Sequence, residues 1–238
     1  MEAIVLAGGL GTRLRSVVDD RPKAMAQVAG RPFLAHLLDQ LAAFGFDSAV
    51  LAVGYRAEQI RAYFGASYRR LALRYSVEDT PLGTGGAIVR AMAGVTAPEV
   101  FVVNGDTFVD LDYRAMWSAH EADPTAMTVA VHAVPDAGRY GALDLDGQRI
   151  RGFLEKGRSG PGWINAGVYL LSRGLLDPQA VPTRFSFESD FLVPRVRELR
   201  PLTFRTDGVF IDIGIPEDYA RAQTLLAEAS RGAGGPAS

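Results

Sequence analysis

The chain has 238 residues, 48% hydrophobic and 22% charged, with a net charge of −2, proportions that suit a soluble globular fold with a sizeable core. No cysteine is present, which excludes disulfides, zinc–thiolate centres and thiol nucleophiles. No basic block of the kind that meets nucleic acid occurs, no apolar run reaches the length of a membrane span, and the N-terminal run Met1–Leu6 passes into glycines too early for a signal segment. The expected location is the cytoplasm, with no nucleic-acid or membrane partner.

Ala3 to Ala7 reads as a short all-apolar strand, the pattern of a sheet covered on both faces. A glycine-rich turn follows it. From Phe33, apolar residues at Leu34, Leu37, Leu38 and Leu41 fall at helical spacing, and Gly45 is the expected C-terminal cap. Ser48 to Val53 is a second buried strand, Ala57 to Phe64 an amphipathic helix stopped by Gly65, and Leu71 to Val77 and Val100 to Asn104 are further strands. Such strand–helix alternation predicts a parallel sheet.

The pattern then changes. Met127 to Val134, Gly141 to Leu145, Ile150 to Glu155 and Ile164 to Leu171 read as strands with little helix between them, Asp146-Gly147 forming a hairpin turn. They are expected as antiparallel additions to the same sheet. Tyr219 to Ala229 is a closing helix. Residues 1–230 are read as one domain and Arg231 to Ser238, rich in Gly, Ala, Pro and Ser, as a disordered tail.

The first chemical motif is Leu6-Ala7-Gly8-Gly9-Leu10-Gly11-Thr12-Arg13-Leu14, with Pro22-Lys23 beyond it. It lies at the carboxyl end of the first strand, where open α/β sheets place ligands. Glycines there let backbone N–H groups approach phosphate oxygens. A Walker A loop would need Gly-Lys followed by Ser or Thr, and a dinucleotide fingerprint a small residue where Leu14 stands, so neither fits. Arg13 and Lys23 suit a triphosphate: a guanidinium holds two non-bridging oxygens and a lysine acts as a movable point charge. A plain tight turn followed by solvated cations is the competing account of this segment.

The chain resembles the sugar-1-phosphate nucleotidyltransferases. The likeness starts with Gly8-Gly9-Leu10-Gly11-Thr12-Arg13-Leu14, Pro22-Lys23 and Val28-Ala29-Gly30-Arg31-Pro32. It continues through Pro81-Leu82-Gly83-Thr84-Gly85-Gly86, Asn104-Gly105-Asp106, Phe153-Leu154-Glu155-Lys156, Asn165-Ala166-Gly167 and Asp212-Ile213-Gly214. The motifs run in order over nearly the whole chain, and within the family it resembles the D-glycero-α-D-manno-heptose 1-phosphate guanylyltransferases. The resemblance implies a Rossmann-like three-layer α/β/α nucleotidyltransferase fold with a mostly parallel mixed central sheet. Ala24 and Gln27 depart from it by standing where prolines are usual, which predicts a less rigid loop around Lys23.

Asp106 and Asp212 each follow an apolar strand, and two carboxylates from different strands can share one hard cation while leaving room for phosphate oxygens. Capping of adjacent turns is the alternative use of both. The resemblance assigns them to Mg²⁺. Asp110-Leu111-Asp112 has the Asp-x-Asp form of some metal sites, but reads better as the cap of a helix starting near Tyr113.

By resemblance, Leu6, Ala7, Gly8, Gly9, Gly11, Thr12, Glu78, Pro81, Gly83 and Thr84 border the nucleotide, with Arg13 and Lys23 catalytic. A carboxylate offers only acceptors, so Glu78 matches the adjacent N1–H and N2–H donors of guanine and favours GTP; an exposed strand-end glutamate is the competing account. Asn104, Gly141, Glu155, Lys156, Asn165 and Gly167 are the candidate sugar-phosphate contacts, although Glu155 and Lys156 could equally form a surface pair. His36, His120 and His132 show no spacing for a metal or base and are read as structural.

The implied reaction is in-line attack by a sugar-phosphate oxygen on the α-phosphorus of GTP, with release of pyrophosphate. A phosphate monoester, with a second pKa near 6, is already dianionic at neutral pH and needs no general base. Arg13, Lys23, Lys156 and Mg²⁺ would offset the repulsion between the two anions. Rival readings are a mannose-1-phosphate guanylyltransferase, a UTP- or dTTP-using relative, a glycosyltransferase and a non-catalytic nucleotide-sugar sensor. Many mannose enzymes of the family carry a C-terminal domain of hexapeptide repeats, whose absence from this sequence favours the heptose substrate. A homo-oligomer is compatible with all of them.

Overall fold

The computed structural model describes residues 1–9, 14, 21–154, 157 and 159–232, the last four of these through the backbone only. In chain order the elements are β1 (Glu2–Leu6), β2 (Gln27–Val28), β3 (Arg31–Pro32), α1 (Phe33–Ala43), β4 (Ser48–Val53), α2 (Ala57–Phe64), β5 (Ser67–Tyr68), β6 (Leu71–Val77), α3 (Gly83–Ala91), β7 (Glu99–Asn104), β8 (Thr107–Val109), α4 (Tyr113–Glu121) and β9 (Met127–Val134). There follow β10 (Leu143–Asp146), β11 (Arg149–Phe153), β12 (Gly162–Ser172), a π-helical turn (Phe187–Leu192), α5 (Val193–Leu199), β13 (Leu202–Thr206), β14 (Phe210–Asp212) and α6 (Pro216–Gly232).

A ten-stranded sheet, in the order β10-β11-β13-β9-β12-β7-β1-β4-β6-β5, forms the middle layer. Strands β6, β4, β1 and β7 run parallel. Strand β12 then pairs antiparallel with both β7 and β9, and β13 pairs parallel with β9. The mixed sheet expected from the sequence is present. Several strand ends shift: β10 begins at Leu143 rather than Gly141, β11 ends at Phe153, and the closing helix starts at Pro216 and runs to Gly232. The remainder of the expected tail, 233–238, lies outside the described residues.

Strand alternation divides the core between the two faces. Ala3, Val5, Leu51, Phe101 and Val103 meet Leu34, Leu38, Leu41 and Tyr113 on the face covered by α1 and α4. Ile4, Val50, Ala52, Val100 and Val102 meet Ala87, Ile88, Phe187 and Leu192 on the other. Both faces of the parallel strands are therefore apolar, which explains their unbroken hydrophobic runs. Helix α1 closes at Gly45 with Phe46 N–H on Leu41 O and Gly45 N–H on Ala42 O, the paired bonds of a Schellman motif. The Asp112 carboxylate accepts from the N–H groups of Arg114 and Ala115 at 3.0 Å each, so this aspartate is the cap of α4.

The three histidines are structural, as expected. His36 donates from Nε2 to Val28 O, and His120 bridges Thr128 and Glu99 between α4 and the sheet. His132 bonds Thr206 O and stacks on Phe210. No helix among the described residues is long and apolar enough to cross a membrane.

The first turn of α3 is pressed against segment 183–185. Gly85 N–H bonds Phe185 O and Phe185 N–H bonds Leu82 O, at 3.0 Å each. A Cβ on Gly86 would collide with the Thr183 carbonyl oxygen, and backbone cannot yield as a flexible side chain can. Gly86→Ala is expected to destabilise the protein by about 1–3 kcal/mol through overpacking, measured as a lower midpoint in urea unfolding. An unchanged midpoint would show that the two segments are free to separate.

Candidate active site

The strand order places the site. From β1 the chain moves outward through β4 and β6, then returns to the other side of β1 as β7. The crevice at the carboxyl ends of β1 and β7 is thus a topological switch point. The turns leaving these strands touch there: Gly105 N–H donates to Leu6 O at 3.0 Å.

A cavity of about 690 Å³ opens at this edge, within the usual range for small-molecule sites. Leu6, Gly8, Gly9, Glu78, Pro81, Gly83, Thr84, Asn104 and Asp106, all expected from the sequence, line it. Ala7 does not. It is buried and its N–H continues the ladder to Ala52 O at 2.8 Å. Ala52, Gly54, Tyr55, Asp79 and Ala87 also line the cavity and were not expected. The carboxyl-end rule applied to β4 would have found the first three.

Glu78 stands beside Gly8, and its Oε2 accepts Leu82 N–H at 2.9 Å. One carboxylate oxygen is therefore spent on shaping the Pro81–Thr84 turn, and Oε1 faces the glycine turn.

Lys23, Asp106 and Asp212 converge. Lys23 opens a single 3₁₀ turn whose following residues, Ala24, Met25 and Ala26, are buried. This burial anchors the loop despite the missing prolines. The Lys23 ammonium lies 2.7 Å from Asp106 Oδ2 and 3.8 Å from Asp212 Oδ1. Asp106 follows β7, as expected. Asp212 instead ends β14, which pairs with β8 in a separate two-stranded ribbon outside the main sheet. In that ribbon Asp212 lies opposite Thr107, and this register brings it beside Asp106.

Burial, with repulsion from Asp106 next, raises the Asp212 pKa against the pull of Lys23 and the Gly214 N–H bond. Two carboxylates that repel each other and already share one cation are a chemically sound pair of ligands for a hard divalent ion. Among the described residues no group of three or more metal-ligating side chains occurs, so most positions around such an ion would fall to water and phosphate oxygens.

Strand β12 bulges between Asn165 and Tyr169, a common device beside active sites. Gly167, at φ 75°, sits in the bulge, and a Cβ there would lie 2.7 Å from Asn104 Nδ2. Only a residue without a side chain fits. Asn165 Oδ1 accepts Gly167 N–H at 3.0 Å, while its Nδ2 donates to Tyr169 OH at 2.6 Å and Glu188 Oε2 at 2.9 Å. Its two amide hydrogens are therefore spent within the protein. Gly141 occupies the turn before β10, with its N–H on Ala137 O. Next to it Arg139 pairs with the buried Asp218 of α6, and Tyr140 packs edge-on against Phe210. Sequence reading missed the Arg139–Asp218 pair because the partners are remote in the chain. Gly11, Thr12, Arg13, Glu155 and Lys156 lie outside the described residues.

Comparison with known proteins gives a consistent result. The family model described as nucleotidyl transferase matches residues 2–229. The chain is 41% identical over 226 residues to the D-glycero-α-D-manno-heptose 1-phosphate guanylyltransferase of Aneurinibacillus thermoaerophilus, covering 95% of this chain and 98% of the relative. It is 39% identical to the enzyme of the same name from Campylobacter jejuni, covering 92% and 97%. Among solved structures, HddC from Yersinia pseudotuberculosis complexed with GMP-PN superposes with a TM-score of 0.82 at 38% identity, covering 93% of this chain and 97% of that one. With its cavity at the β1/β7 switch point and a family match spanning almost its full length, this chain belongs to the nucleotidyl transferase family.

Proposed function

We propose that the protein transfers GMP from GTP to D-glycero-α-D-manno-heptose 1-phosphate, giving GDP-heptose and pyrophosphate. The observation that carries the reading is the Lys23 ammonium held between Asp106, which lines the cavity, and Asp212. The two guanylyltransferase relatives, similar over nearly their whole length, support the choice of substrates.

In the proposed reaction a non-bridging oxygen of the sugar phosphate forms a bond to the α-phosphorus. The bond from that phosphorus to the α–β bridging oxygen breaks, and pyrophosphate leaves with the electron pair. The nucleophile is already anionic, so no base is required. Lys23 supplies positive charge where negative charge builds up. Arg13 and Lys156 are assigned the same task on the triphosphate and the sugar phosphate by their motifs. Asp106 and Asp212 would hold Mg²⁺, which when bound neutralises phosphate oxygens. Glu78 Oε1, which faces Gly8, is the acceptor available to a guanine N–H.

Pyrophosphate release, measured with each nucleoside triphosphate and with heptose or mannose 1-phosphate, tests the substrates. The fastest turnover is expected with GTP and the heptose compound, and a preference for UTP or dTTP would overturn the guanine assignment. Lys23→Ala and Asp212→Asn are each expected to lower kcat by roughly 10²–10³, the usual loss when one preorganised electrostatic contact is removed. Near-normal turnover in either folded variant would remove that residue from the mechanism.

A further inference from the structure

Helix α6 meets the Lys23–Asp106–Asp212 cluster from outside the cavity. It begins at Pro216, just after the Asp212-Ile213-Gly214 motif. Within that connection Ile213 N–H donates to Asp106 O at 3.0 Å and Gly214 N–H donates to Asp212 Oδ1 at 2.7 Å. The base of the helix is thus tied to both aspartates. Its first turn is pinned as well, since the buried Asp218 pairs with Arg139 of the turn before β10. Ala222 and Leu226 then sink into the core.

Another face of the same helix grips the loop that carries Lys23. Tyr219 OH donates to Gln27 O at 2.7 Å and Gln223 Nε2 donates to the same oxygen at 2.9 Å, while Gln223 Oε1 accepts Ala29 N–H at 3.0 Å. The path from Gln27 to Lys23 is short and bonded, with Ala26 N–H on Lys23 O at 3.0 Å and Phe33 N–H on Ala26 O at 2.9 Å. Ala29 and Gly30 form the two-residue turn between β2 and β3, at φ 48° and 81°. A left-handed alanine is disfavoured, and residues 23–31 contain no proline to preset the backbone. The turn therefore depends on outside support, which the Gln223 amide gives by bonding both sides of Val28. Hydrogen bonds at so exposed a surface add little net stability; what they fix is where the loop lies.

We propose that Tyr219 and Gln223 are positioning residues: by fastening Gln27 and Ala29 to a helix whose base is tied to Asp106 and Asp212, they set the Lys23 ammonium against the two carboxylates and so against the reacting phosphates. The assignment rests on the role proposed for Lys23. Tyr219→Phe combined with Gln223→Leu keeps the ring and the bulk of both side chains but removes all three bonds. With the full chain, GTP, Mg²⁺ and whichever sugar 1-phosphate the wild type turns over, this pair is expected to lower kcat roughly ten-fold, part of the roughly 10²-fold that a 1 Å misplacement can cost. In a Lys23→Ala background the same pair should leave the residual kcat within about two-fold, because residues that act as a unit do not add. An equal fold loss in both backgrounds would overturn the assignment, since general damage to the fold does not depend on Lys23. An unchanged kcat in the otherwise wild-type chain would overturn it too. Tyr219→Phe alone removes a single hydroxyl and gives the same comparison if the pair folds poorly, with a loss of roughly three-fold expected only where Lys23 is present. Normal turnover by Lys23→Ala would sink the role of Lys23 and this assignment with it, whereas a wild-type protein that releases no pyrophosphate would overturn the reaction itself.

Discussion

Two carboxylates and one ammonium meet at the crevice between β1 and β7, and much of the surrounding architecture serves to hold them there. Lys23 is delivered by a loop whose neighbouring residues are buried, Asp106 by the turn after β7, and Asp212 by a three-residue strand of a separate ribbon. Such an arrangement is poor value as a stability device. Removing charges from water costs several kcal/mol per ion before any mutual attraction is recovered, and the raised Asp212 pKa reflects that burial together with repulsion from Asp106. A site of this kind makes sense where the carboxylates must meet a second cation and the ammonium a phosphate.

The sheet explains how such a site can be rigid. Its parallel half is covered on both faces by helices, and the strand ends that surround the cavity extend directly from that core. Its antiparallel half contributes β12, which pairs antiparallel with β7 while its bulge brings Gly167 against Asn104. One wall of the site thus grows from parallel strand ends, and the other from an interruption in an antiparallel strand. Both belong to one continuous sheet, so neither can shift far without breaking ladder hydrogen bonds.

What the sequence made legible follows from how local each signal is. The bounds of β4, α2, β6 and β9 match the apolar runs that predicted them, since alternation and stop residues are written within a few positions. The cap at Asp112 was legible for the same reason. Strand β13, Leu202–Thr206, was missed because Thr203, Arg205 and Thr206 interrupt its apolar pattern. The β8–β14 ribbon consists of two three-residue strands whose paired residues lie more than 100 positions apart in the chain, beyond the reach of any periodicity. The residue types for the site could be read from motifs, but the convergence of Lys23 with Asp106 and Asp212 depends on that ribbon. The fate of Asn165 was equally hidden: its amide suggests a sugar donor, yet Glu188, 23 positions away, accepts one of its hydrogens.

The stretch from Thr183 to Glu188 gives the two ends of the site a common support. Phe185 bonds both Leu82 and Gly85 through its backbone, Phe187 bonds Thr84, and Glu188 bonds Asn165. The Pro81–Thr84 turn at the cavity and the bulge of β12 are therefore tied to the same six residues. A reaction between two anions gains most from fixed relative placement, since each must be held against the repulsion of the other. One short segment, pressed so closely on α3 that Gly86 cannot carry a side chain, joins the two walls through the backbone of Phe185 and Phe187 and the side chain of Glu188.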